Sequence, residues 1–297
     1  MTNGSVEQLL QLNQYRQGGS GDRAPHKPLL VLLALHQLAE TGSSDLAWSD
    51  TADRLADLIA EFGPTSRTGR AQSAAYPFTR LRSDGVWHLT DDVPMDLLTP
   101  LREGDVHGRL DSAIEQELRG NPDLLARTVR GIVDGQFPST IAPDVLAAVG
   151  FDPDLLDAGV SMPREVARRR SAQWRRAIVE AWDGACAFCG FDGQLGGAPV
   201  GLEAAHVRWF NFGGPDELDN GLALCALHHK LFDRGALGLS PENRVLVSSS
   251  FRAVGTGRAV YDLHGRVLSP RPGSQLPARE YVSWHAGQVF KGEPLAA

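Results

Sequence analysis

The chain has three cysteines, and all three lie in two short knuckles. Cys186 and Cys189 form CAFC, a C-x-x-C turn, and Cys225 opens CALH, a C-x-x-H turn that ends on His228. Two such knuckles separated by a variable insert supply a Cys3His set for a tetrahedral zinc ion. A redox role for CAFC is disfavoured, because no βαβ pattern surrounds it. His229 follows His228 directly, and adjacent helical residues point about 100° apart. One small site has no use for both histidines, so His228 is read as a zinc ligand and His229 as pointing elsewhere.

Length and composition bound the rest. A chain of 297 residues predicts one to three domains, with two favoured. It is 42% hydrophobic and 22% charged, an ordinary globular composition. The longest apolar run, Leu29 to Leu35, is too short to span a bilayer. The opening MTNGSVEQLLQLNQ lacks the basic start and apolar stretch of a secretory signal, so a cytoplasmic protein with no membrane partner is expected.

The net charge of −7 speaks against nucleic acid until its distribution is considered. Residues 1–163 carry 13 Lys plus Arg against 23 Asp plus Glu, and residues 164–297 carry 16 against 13, so the halves net −10 and +3. Two stretches are basic. PTSRTGRAQSAAYPFTRLR holds Arg67, Arg70, Arg80 and Arg82 with no acid, and REVARRRSAQWRR holds six arginines and one glutamate. Either could follow a phosphate backbone, or could be a solvated face.

Periodicity organises the chain. SVEQLLQLNQYRQ, HKPLLVLLALHQLAE and SDTADRLADLIAEFG have helical spacing. Pro25 and Pro28 suit the entry to the second of these. The third has Ser49 or Asp50 as an N-cap and Gly63 at its end. GVWHLT reads as a strand, 94–157 as short helices, and VSMPREV as a linker into a long helix over 164–182. From 183 onward the texture is turns, short strands and one helix. A domain boundary is placed near 160, giving units 1–160 and 161–297.

Between the knuckles lies GLEAAHVRWFNFGGPDELDNGLALC. It reads as a strand ending in His206, a glycine-rich loop, and Asn220 just before a helix starting near 220–222. Histidine at a strand end, asparagine before a helix and histidine in that helix, braced by two knuckles, resembles the HNH (ββα-metal) nuclease fold over about 186–235. The resemblance implies His206 as general base, Asn220 holding the loop and orienting that histidine, and His229 holding a catalytic Mg²⁺ or Mn²⁺. Asp233, four residues after His229 and on the same helix face, is the second ligand to that metal. Many HNH nucleases carry a metal-binding Asp or His immediately before the base histidine. Here that position is Ala205; Glu203 is the substitute considered, and the third ligand stays open.

Over roughly 1–160, GDRAPHKPLLVLLAL together with AAYPFTRL resembles the sulfur-binding domains that precede HNH nucleases and recognise phosphorothioate DNA. Carried over by position, Tyr76 and Pro77 form an apolar wall around the sulfur, and Arg23, His26 and Lys27 contact the adjacent backbone or bases. Arg67, Arg70, Arg80 and Arg82 flank the wall and grip phosphates, which position a protein without reading sequence. Sulfur is larger and more weakly hydrated than oxygen, so an apolar wall desolvates it at lower cost.

The expected fold class is α+β: a mostly helical DNA-recognition domain followed by a zinc-braced ββα-metal domain. The expected function is that of an McrA-like, phosphorothioate-dependent type IV restriction endonuclease acting on double-stranded DNA, with a homodimer open to it. The alternatives are an HNH nuclease that reads another modification or none, and a non-catalytic zinc module that only binds DNA.

Overall fold

A computed structural model describes residues 5–12, 23, 25–65, 70–152 and 165–296. The chain divides into two compact units, Met1–Ser161 and Met162–Ala297. Among the described residues no helix is long and apolar enough to cross a membrane.

The first unit is built around helix α2 (His26–Thr41). Its LLVLLAL run is apolar on every side, and Leu29 through Leu35 are at most 3% exposed, which makes it the central helix of the layer rather than a surface one. Gly42 ends it in a left-handed conformation, φ 76°, that costs glycine little. Short helix α1 (Val6–Leu10) and the amphipathic α3 (Trp48–Phe62), α4 (Arg70–Arg80), α6 (Ser112–Arg119) and α7 (Pro122–Gln136) surround it, with α5 (Leu98–Glu103) and α8 (Ala142–Val149).

Strands β1 (Leu46–Ala47), β2 (Trp87–Leu89) and β3 (His107–Leu110) form an antiparallel sheet in the order β1-β3-β2. Strand β3 was not expected. Its HGRL sequence has one apolar residue, and Gly108 is there because a Cβ would lie 2.3 Å from the Trp87 ring.

The entry to α3 also differs from expectation. The cap position is Ala47, not Ser49 or Asp50. Trp48 donates its backbone N–H to Val106 O (2.9 Å), so the sheet runs straight into the helix and satisfies that donor without a side-chain cap. Ser49 and Asp50 bond each other in the first turn instead.

The second unit opens with α9 (Glu165–Ala181). Then come a small hairpin, β4 (Gln194–Leu195) with β5 (Ala198–Pro199), and the antiparallel pair β6 (Leu202–His206) and β7 (Gly221–Cys225). Helix α10 (Ala226–Asp233) follows, then the pair β8 (Leu237–Leu239) and β9 (Val245–Val247). Helix α11 (Arg279–Gln288) was not expected; the turn-rich texture after 183 was read as holding one helix. The core gathers Trp174, Ile178, Ala205, Leu222, Leu224, Phe232 and Val245.

One expectation about the site is corrected by this order. Asn220 does not precede a helix. It ends a single 3-10 turn, Leu218–Asn220, and leads into β7. GLALC pairs in register with LEAAH, His206 opposite Gly221, and the helix starts only at Ala226. An apolar run of that length fits a buried strand as well as a helix, and cross-strand pairing decides it.

Candidate functional site

The two knuckles fold onto each other. Ligand atoms of Cys186, Cys189, Cys225 and His228 all lie within 4.8 Å of one another. His228 Nδ1 is 3.5 Å from Cys186 Sγ and 3.2 Å from Cys225 Sγ, the spacing that ligands around one tetrahedral ion adopt. Without a cation the thiols conflict. Burial pushes the Cys186 thiol up, but His228 and nearby backbone N–H groups outweigh it and hold it at about 6. Burial and the Cys186 charge then push Cys189 up to about 12, and Cys225 is raised for the same two reasons. A divalent cation removes that conflict by taking all three as thiolates. The donor set therefore fits zinc.

Helix α10 turns the two adjacent histidines apart, His228 into the cysteine cluster and His229 toward a pair of carboxylates. Glu203 Oε2 is 2.7 Å from His229 Nδ1, and Asp233 Oδ2 is 3.2 Å from His229 Nε2. Burial lowers the His229 pKa, but Asp233 and then Glu203 outweigh it and lift it to about 9. Glu203 is held below the usual carboxylate range by its bond to His229. Asp233 is buried and accepts from Trp209 Nε1 at 3.0 Å. Trp209 in turn meets Trp284 of α11, ring centroids 5.8 Å apart.

Asp233 Oδ2 and His229 Nε2 converge, so these two can share a cation. Glu203 sits at the opposite nitrogen of the imidazole, where it orients the ring and does not converge as a third ligand. Ala205, the position before His206, is fully buried.

His206 ends β6. Its Nε2 lies 2.8 Å from Asp216 Oδ1, and its ring stacks on Trp174 of α9, centroids 3.9 Å apart at 14°. Burial lowers its pKa, opposed by Asp216 and Asp233. Asn220 is fully buried and bonds across the neck of the intervening loop: its side-chain oxygen accepts from Arg208 N (2.8 Å), and its amide donates to Arg208 O (3.1 Å) and Pro215 O (3.0 Å). Gly214 allows this closure, since a Cβ there would lie 1.8 Å from Arg208 O.

Asp216, Trp174 and Trp209 were missed by sequence reasoning. Asp216 sits in a Gly-Pro-Asp turn that explains itself as a turn, and Trp174 is hidden in a run of arginines. The order of His206, then a loop, then Asn220 is the signal that could have found Asp216.

In the first unit the expected DNA-facing residues divide. Tyr76 is half-buried, with the Arg80 guanidinium 5.0 Å from its ring centroid. Pro77 is buried inside α4, so of the expected wall it is Tyr76 that presents surface. Arg23 is 1% exposed and donates to Phe62 O at 2.8 Å; it belongs to the interior and does not face DNA. His26 is half-buried at the start of α2, and Lys27 pairs with Asp84. Arg70 pairs with Asp57, Arg80 with Asp96 (2.7 Å), and Arg82 with Asp92 (3.1 Å). An acid-free stretch in sequence thus meets its acids through the fold. Arg67 lies outside the described residues.

Residues 3–154 match the family of ScoMcrA-like DNA sulfur-binding domains, and residues 186–240 match an HNH endonuclease family. No curated protein matches the chain. Among solved structures, the sulfur-binding domain of ScoMcrA complexed with phosphorothioated DNA is similar at 20% identity, covering 53% of this chain and 99% of that one, TM-score 0.43. The type IV phosphorothioation-dependent restriction endonuclease ScoMcrA is similar at 14% identity over 77% of this chain and 82% of that one, TM-score 0.38. The modification-dependent restriction endonuclease TagI is similar at 26% identity over 45% of this chain and 42% of that one, TM-score 0.32. With more than half of its length in the sulfur-binding match, the chain belongs to the ScoMcrA-like DNA sulfur-binding domain family and joins that domain to an HNH endonuclease domain.

Proposed function

We propose that the chain binds phosphorothioate-modified duplex DNA through its first unit and hydrolyses a nearby phosphodiester with its second. The observation that carries the reading is the pairing of a carboxylate-bound histidine, His206, with a second cluster of His229 and Asp233 on the adjoining helix. A module that only binds DNA has no use for either.

The chemistry follows from the substrate. A phosphodiester is anionic and repels hydroxide, so hydrolysis needs a base for water and positive charge at the phosphate. Burial holds the His206 pKa below its ordinary value, which favours the neutral form that can take a proton from water. His229 and Asp233 would hold a divalent ion, Mg²⁺ or Mn²⁺, which when bound supplies charge against the phosphate and the leaving oxygen. Glu203 fixes the ring of His229, and Trp209 fixes Asp233. Cys186, Cys189, Cys225 and His228 would hold a structural zinc that ties β7 and α10 to the first knuckle. One such site cuts one strand, and a homodimer would supply a second site for the other.

In the first unit Tyr76 supplies the apolar surface for sulfur, and Arg80, Arg82, Arg70 and Lys27 trade their aspartate partners for phosphates. The test is cleavage of matched duplexes that differ by one sulfur, with and without Mn²⁺. Wild type cuts the sulfur duplex only with metal, and His206→Ala binds it without cutting. Equal cleavage of both duplexes would transfer the reading to a nuclease that recognises something else.

A further inference from the structure

Trp174 closes a ring of contacts around the base. Its indole stacks on the imidazole of His206, and its Nε1–H donates to the backbone carbonyl of Glu217 at 3.0 Å. Glu217 follows Asp216, whose carboxylate holds His206 Nε2 at 2.8 Å. One side chain on α9 therefore touches the imidazole directly and pins the segment that carries the imidazole's partner. The position is prepared from the opposite strand. Gly221 is the cross-strand partner of His206, and a Cβ there would lie 3.0 Å from Trp174 Cζ2 and 2.1 Å from Ile178 Cδ1. The missing side chain leaves the space in which the indole lies.

We propose that Trp174 is a positioning residue for cleavage: it clamps His206 and Asp216 as one unit, which commits Nε2 to the carboxylate and leaves Nδ1 as the proton acceptor. The proposal rests on the reading of His206 as the base. An ionised carboxylate only accepts hydrogen bonds, so a neutral imidazole bonded to it carries its hydrogen on Nε2, and the lone pair is on Nδ1. In the step this serves, a water O–H proton passes to Nδ1. The electron pair left on oxygen forms the new bond to phosphorus. The pair of the broken P–O bond leaves with the ester oxygen, which is protonated from solvent. The imidazolium so formed gains from both neighbours: Asp216 opposes its charge directly, and the indole face attracts a cation stacked on it. A clamp of this kind acts on the rate of the bound complex and leaves DNA affinity alone, because Trp174, 7% exposed, offers the duplex little surface and the Asp216 carboxylate carries the same sign of charge as a phosphate.

The test uses the full chain and the sulfur duplex, with zinc content and duplex affinity measured beside single-turnover cleavage at saturating enzyme in Mn²⁺. Trp174→Ala and Asp216→Asn are expected to keep zinc and half-saturation while cutting about 10- to 100-fold more slowly, a part of the roughly 10²- to 10⁴-fold that a positioned base contributes. Trp174→Phe keeps a ring over the imidazole but loses the donor to Glu217, and is expected to fall between Trp174→Ala and wild type. If Trp174→Ala does not fold, Trp174→Phe and Asp216→Asn carry the same comparison. Wild-type saturated rates in Trp174→Phe and Asp216→Asn, with His206→Ala inactive, overturn the clamp and leave the base standing. Wild-type cleavage by His206→Ala removes the base assignment and the clamp with it.

Discussion

A histidine that accepts a proton works only while it is neutral. His206 is depressed below its ordinary value by burial, with Asp216 and Asp233 opposing and His229 adding to the depression. The working form is therefore the deprotonated one, and it persists to lower pH than for a free imidazole. In the single-turnover rate, followed from about pH 5 to 8 at saturating metal, the acidic limb that reports His206 should have its midpoint below the ordinary histidine value. An acidic limb above the ordinary value would contradict the burial argument. A second residue-scale prediction concerns discrimination. Replacing one oxygen by sulfur keeps the charge, so arginines alone separate the two duplexes poorly. Contact of weakly hydrated sulfur with Tyr76 is of order 1–3 kcal/mol, roughly a ten- to hundredfold preference. Tyr76→Ala should collapse that ratio in competition binding at fixed salt. Arg80→Ala should weaken both duplexes about equally, and by less than a free arginine would, because Arg80 must first give up Asp96.

At the scale of elements, the knuckles are the features that fold the nuclease unit. The β6–β7 pair and α10 are short, and elements so small do not persist without a staple. Cys186→Ala is expected to lose its zinc, about one ion per chain in wild type, and to aggregate rather than merely slow down. A folded, zinc-free and active Cys186→Ala would refute the structural role. The same scale explains what could be read from sequence. The helices α3 and α7 carry their apolar periodicity openly, α2 shows itself as one long apolar run, and the cysteine spacing names its own ligand set. Strand β3 could not be read, because HGRL gains its place from Leu46, Ala47 and the Trp87 ring, all distant in sequence. Asn220 was assigned to the wrong element because GLALC is equally apolar as helix or strand until LEAAH lies beside it. His206 and His229 were legible as types at a spacing. Asp216, Trp174 and Trp209 were not, because their roles are set by which side chains the fold brings within hydrogen-bonding distance. Arg23 failed in the opposite sense: a cation beside a basic motif suggests DNA, and only the packing shows it bonded to a buried carbonyl.

At the scale of the whole molecule, two units with separate cores should fail separately. Stripping zinc from the full chain with a strong chelator is expected to abolish cleavage, while the fraction that stays in solution keeps its selective binding of the sulfur duplex within about twofold, since the ligand set lies wholly in the second unit. Loss of both together, measured by gel shift on the same sample, would mean that the units depend on one another. The order of those units has a further consequence during synthesis. Chains emerge from the ribosome N-terminus first, and domains fold as they are completed. The sulfur reader is therefore finished before Cys186 appears, and the metal-binding set is incomplete until His228 has been added. A chain whose translation stops between the two units, or anywhere before His228, therefore carries a finished reader and an unfinished blade.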